Sequence, residues 1–128
     1  MPATKAYGQF FAAGTVVPAG TTKGAPVVSD VVDTRTGYGG DLSYRITNSG
    51  ALGAACIIMF QISAVGGTNP ADWTDHYPVA SSDLLAGTVT QGPAITASRG
   101  ARYQRAIAYG NTTNACTVEG GIHQVTGL

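Results

Sequence analysis

The chain has 128 residues, with seven basic and seven acidic side chains, so its formal net charge is zero. Charged residues make up only 11% of it, against roughly 25% in ordinary soluble domains. That balance excludes a nucleic-acid reader that works by neutralising phosphates, gives an acidic substrate no long-range steering, and leaves little self-repulsion against association. A hydrophobic fraction of 44% is enough for one domain with a real core. No apolar run approaches the ~20 residues of a membrane-spanning helix. The start, MPATKAYGQFF, lacks the apolar stretch of a secretory signal, so synthesis in a cytoplasm is expected.

The 18 glycines and 6 prolines fall between short apolar runs and punctuate them. No stretch shows the i, i+3, i+4, i+7 stripe of a helix. Residues 1–24 contain AYGQFFAA (6–13) followed by the turn-rich GTVVPAGTTKGAP. They read as an N-terminal arm or an edge strand, ahead of a β-sandwich domain over 25–128. Tyr7, Phe10 and Phe11 are costly to leave in water. They either complete the chain's own sandwich or dock on a neighbouring subunit, and the Gly and Pro that follow favour docking.

APVVSDVVDT (25–34) reads as the next strand, with Asp33 and Arg35 ordering the turn after it. In DLSYRITN (41–48), Leu42, Tyr44 and Ile46 share one face and Ser43, Arg45 and Thr47 the other. AACIIMFQISA (54–64) is the most apolar strand, central and covered on both sides. WTDHYPVA (73–80) follows a glycine loop. GTVTQGPAIT (87–96) is weaker, its Gly92–Pro93 pair marking an edge or a bulge. Residues 101–109 place Tyr103, Arg105, Ile107 and Tyr109 on one face. GNTTN (110–114) turns the chain into residues 115–125, where Cys116, Val118 and Ile122 face inward. About eight short strands at this spacing predict an all-β fold: a two-sheet antiparallel β-sandwich, jelly-roll-like.

No convergent chemistry emerges. Cys56 and Cys116 lie on the apolar faces of their strands and read as small buried thiols. His123 has the opposite parity to Cys116 and is a poor base for it. Asp72, Trp73, Asp75, His76 and Tyr77 crowd together, but adjacent strand residues point apart and no third metal ligand follows. Glu119 faces solvent. There is no Gly-x-Ser-x-Gly elbow, and GYGG lacks the Lys-Ser/Thr and helix of a phosphate loop. NTT at 111–113 matches a glycosylation acceptor but reads as a hairpin turn. The expectation is a non-enzyme with no catalytic, cofactor-binding or metal-binding residues and no cofactor. Trp and Tyr favour interfaces, so the candidate partner contacts are Tyr7, Phe10, Phe11, Trp73 and Tyr77.

The segments SDVVDTRTGYGGDLSYRITNSG, AACIIMFQISAVGGTNPADWTDHYPVA and GARYQRAIAYGNTTNACTVEGGIHQVTGL resemble small β-sandwich virion proteins of tailed bacteriophages. The shared pattern is an Asp-Thr-Arg turn into a strand, a strand–glycine loop–Trp unit, and an Arg-Tyr strand joined to a Thr-Val-Glu strand by a Gly-Asn-Thr turn. It covers most of residues 28–128, and TNPAD and SSDLLAG depart from it. The resemblance implies a virion structural protein made in the host cytoplasm: a capsid decoration or cement protein binding the major capsid protein and copies of itself, as a dimer or trimer. The alternative it implies is a tail-fibre or baseplate module that binds host-surface carbohydrate, with Trp73, Tyr77, Tyr38 or Tyr7 as stacking platforms. Neither nucleic acid nor membrane is an expected partner.

Overall fold

The computed structural model describes residues 4–92 and 95–127. Among these residues there are ten strands: β1 (Thr4–Val17), β2 (Val27–Val28), β3 (Val32–Asp33), β4 (Gly40–Asn48), β5 (Ile57–Ser63), β6 (Thr74–Ala80), β7 (Val89–Gln91), β8 (Ile95–Thr96), β9 (Tyr103–Tyr109) and β10 (Cys116–Gly127). One 3-10 turn, Pro70–Asp72, precedes β6. The strands form two antiparallel sheets packed face to face. One has the order β1-β10-β4-β7, with β8 also on β4. The other has the order β2-β9-β5-β6, with β3 also on β9. The all-β sandwich expected from the alternation is what the chain forms. The segment expected as one strand over 25–34 is interrupted, because β2 and β3 take separate places along β9. The segment 87–96 likewise divides into β7 and β8, and the expectation at Pro93 lies outside the described residues.

Alternation decides the inner faces. Leu42 and Ile46 of β4, Ile58 and Phe60 of β5, Ala106 and Ala108 of β9, and Val118 and Ile122 of β10 are all buried in one core. β5 is covered on both sides, since Met59 and Gln61 are buried as well. Burying a side chain of this size contributes about 1.5–3 kcal/mol, so these positions set the register.

β1 is an edge strand of this same sandwich. It pairs with β10 from Thr4↔Gly127 to Val17↔Cys116. The register shifts between Gln9 and Phe11, where Gln9 faces Gly121 and Phe11 faces Gly120. This bulge changes the usual side-chain alternation. Consecutive Phe10 and Phe11 therefore both turn inward, at 2% and 3% exposure, and Phe10 meets Phe60 at 6.0 Å between ring centroids. The docking expected of Phe10 and Phe11 is corrected: the core of their own chain holds them.

Residues 18–26 do not extend away either. Gly20 N–H donates to the Asn111 carbonyl (2.8 Å), and Gly110 N–H donates to the Thr21 carbonyl (2.9 Å). Asn111 is fully buried, and its Nδ2 donates to the carbonyls of Val17 (3.0 Å) and Asn114 (2.8 Å). Asn111, which opens the NTT match read as a hairpin turn, is thus also a clamp between β1 and the β9–β10 hairpin. The segment then crosses to the outer side of the second sheet, where Lys23 pairs with Asp75.

Phe10→Ala is expected to lower unfolding stability by about 3–5 kcal/mol, read from the urea midpoint. A chain lacking residues 1–20 should fail to fold. Retention of the wild-type melting temperature by that truncation would show β1 to be dispensable.

Candidate functional site

The outer face of the β9–β5–β6 sheet carries the densest polar arrangement. Arg105 and Gln61 face each other across β9 and β5. Arg105 Nε donates to Gln61 Oε1 (2.8 Å), and Gln61 Nε2 donates to Asp75 Oδ1 (2.9 Å). Lys23 Nζ donates to the other oxygen, Asp75 Oδ2. The chain of bonds therefore runs from β9 through β5 and β6 to the loop before β2. Asp75 reaches it because the β5–β6 pairing slips after Phe60: Tyr77 faces Phe60, Asp75 faces Gln61, and His76 is left bulged and exposed.

Trp73 closes the arrangement. The Arg105 guanidinium lies 4.4 Å from its ring centroid, and its Nε1 donates to the Gly67 carbonyl (2.7 Å). The loop before it is braced by Asn69, whose Oδ1 accepts from Ala71 N–H (3.0 Å) at the start of the 3-10 turn. Arg105 is 6% exposed. Its strand parity, opposite to that of the core residues Ala106 and Ala108, puts it on the outer face, but the Trp73 loop covers that face. Burial lowers its pKa from the ordinary guanidinium value. The hydrogen bonds from Gln61 first, then from Lys23, hold the Asp75 carboxyl below the ordinary aspartate range.

Trp73 itself is 7% exposed and has one face against Arg105, so it is not the free stacking platform expected. Tyr77 and Tyr38 are exposed at 45% and 52% and stay available for contact. Tyr7 is exposed too, but its ring lies across Gly121, where a Cβ would meet it at 2.6 Å, and against His123 at 4.7 Å. The structure does not bring these aromatics together with Phe10 and Phe11. Arg105, Gln61 and Lys23 come from three distant segments, so no local motif announces them. The one hint in the sequence is a charged residue inside a mostly apolar strand.

The remaining candidates are dispersed. Cys56 and Cys116 are fully buried free thiols. Cys56 lies just before β5 and Cys116 begins β10, so they belong to opposite sheets. Burial, then the neighbouring Cys116, pushes the Cys56 thiol far above its ordinary range, and burial also pushes Cys116 up. Such thiols are poor nucleophiles. His123 is exposed on the other side of β10, as its parity required. Arg35 and Asp33 form a bidentate surface pair at 2.7–3.1 Å that orders their turn. Glu119 faces Arg45 across β10 and β4 at 3.8 Å.

No family model matches the chain, and a search of curated proteins finds no similar one.

Two outcomes are expected. Cys56 and Cys116 should react with a thiol reagent far more slowly in the native protein than in urea, and Cys56→Ala should cost about 1–2 kcal/mol. Rapid native labelling would contradict their burial. For Asp75 the folded pKa is depressed, so its contribution to stability is present above the unfolded value of about 3.9 and is lost as pH falls through the folded one. Asp75→Asn should flatten the fall in melting temperature below that pH. An unchanged acid profile in the variant would remove Asp75 from the account.

Proposed function

We propose that this protein is a non-enzymatic virion structural protein of a tailed bacteriophage, one that decorates the assembled capsid and stabilises it alongside neighbouring copies of itself as a dimer or trimer. The resemblance over residues 28–128 supports the reading. The strand order is compatible with it. Counting β2 with β3 and β7 with β8 as interrupted strands gives eight, ordered 1-8-3-6 and 2-7-4-5 in the two sheets. We read that order as jelly-roll-like, and jelly rolls occur in viral capsid proteins and in lectins. Fold alone is only analogy, so the reading rests on a surface.

The observation that carries it is the connection between β6 and β7. Leu84 and Leu85 are 40% and 66% exposed there, yet their backbone is held firmly. Asn48, 1% exposed, donates through Nδ2 to the carbonyls of Asp83 (2.9 Å) and Leu85 (3.0 Å). Leu52 N–H donates to the Leu84 carbonyl (2.8 Å), and Gly87 N–H to the Asn48 carbonyl (2.9 Å). Two leucines in water cost free energy with no benefit to the monomer. Presented on a braced loop, they enter an apolar recess of a partner with little ordering cost. Zero net charge and many equivalent shell sites let such modest contacts sum.

The test is co-sedimentation with purified capsid shells. Leu84→Ser combined with Leu85→Ser should keep the melting temperature within a few degrees and weaken shell binding by about tenfold or more, since half-burying each leucine is worth roughly 1 kcal/mol. Wild-type protein that never co-sediments with shells would sink the reading, as would a double variant that binds as the wild type does.

A further inference from the structure

We propose that the pocket over Arg105 is a binding site for an acidic monosaccharide of the uronic acid class, held by its carboxylate. The proposal goes beyond the shell-binding reading and does not rest on it.

The pocket has a volume of about 310 Å³. Arg105, Gln61 and Ile107 line it from the sheet, Lys23 and Pro26 from the loop before β2, and Trp73 from the loop before β6. This is the small end of the range for ligand pockets and suits one ring. Arg105 has five N–H donors in a fixed fork. One is spent on Gln61 Oε1. Among the described residues no acceptor takes the hydrogens of Nη1 or Nη2, and no carboxylate lies within ion-pair distance of the guanidinium. Those nitrogens are not sealed in the interior either, because among the described residues the fully enclosed side-chain polar atom without a partner is Asn111 Oδ1. A cation 6% exposed, with one face on Trp73, a place in the pocket's lining and only its Nε bonded, is a fork lacking its planar anion.

The charge count selects the anion. The pocket's charged lining is Arg105, Lys23 and Asp75, and Asp75 already neutralises Lys23. One positive charge is left over, which suits a carboxylate monoanion better than a phosphate dianion. The rest of the lining chooses a sugar. Thr68, Lys23, Gln61 and Asp75 offer both donors and acceptors for ring hydroxyls, while Pro26 and Ile107 give apolar surface for the C–H faces.

Trp73 is the only tryptophan of the chain, so its fluorescence reports the pocket directly. The full-length protein is titrated with sodium D-glucuronate, D-glucose and acetyl-glutamate amide at matched ionic strength. Glucuronate should give a saturable change, with glucose at least about tenfold weaker, because the charge-assisted bonds to the guanidinium are missing. Arg105→Gln should lose about tenfold or more. Should that variant unfold, Lys23→Ala at the exposed rim cancels the spare positive charge and should weaken glucuronate several-fold. Amide shifts in the wild type should then map to the β5, β9 and Trp73-loop residues. Equal response to glucose, no saturation with glucuronate, or shifts elsewhere would overturn the site. Tighter binding of the glutamate derivative would overturn the sugar in favour of a peptide carboxylate.

Discussion

The pairing of the first strand with the last is the constraint on which the rest of the structure depends. β10 lies between β4 and β1, so its β1 side stays an open row of donors and acceptors until residues from the other end of the chain arrive. When β1 pairs, its bulge delivers Phe10 and Phe11 to the core and Val17 to the level of Cys116. Asn111 then grips the Val17 carbonyl and sets the direction in which residues 18–26 leave. That direction carries Lys23 to Asp75 and builds one wall of the pocket over Arg105. Closing a loop this long costs entropy before any contact repays it, so the step is expected late in folding.

Two of the buried polar side chains hold loops. Asn48 braces the connection bearing Leu84 and Leu85, and Asn111 braces the turn between β9 and β10. Asn111 Oδ1 is left without a partner, at a cost of about 1–3 kcal/mol that the carbonyls bound by its Nδ2 offset. Arg105 differs: its surroundings satisfy one donor and leave the outer fork open. Among the described residues Asn111 Oδ1 is the enclosed side-chain polar atom left unpaired, whereas Arg105, with donors to spare, lines a pocket.

The two surfaces singled out sit at opposite ends of β6. The leucine loop follows Ala80, and the Arg105 pocket gathers around Trp73 and Asp75 at the other end. The exposed leucines and the Arg105 pocket are so separated that covering one leaves the other open. The thiols in the core join neither, since burial disfavours their ionised form.

By itself the sequence determined the strands whose two faces differ in polarity. In 41–48 and 115–125, period-two alternation reports the core directly, because a one-residue slip would expose every apolar side chain; in 54–64 it is the near-continuous apolar run that reports a strand covered on both sides. It also determined that Cys56 and Cys116 point inward and that His123 does not. It could not determine the fate of Phe10 and Phe11, since two adjacent aromatics face the same way only where a bulge breaks the alternation, and a bulge depends on the partner strand. Nor could it determine that Arg105 is buried: its strand parity is outward, and the covering Trp73 loop comes from elsewhere in the chain. Local chemistry is written in neighbouring residues. Coverage of an outward face, and the meeting of Lys23, Gln61, Asp75 and Arg105, exist only once distant segments have packed.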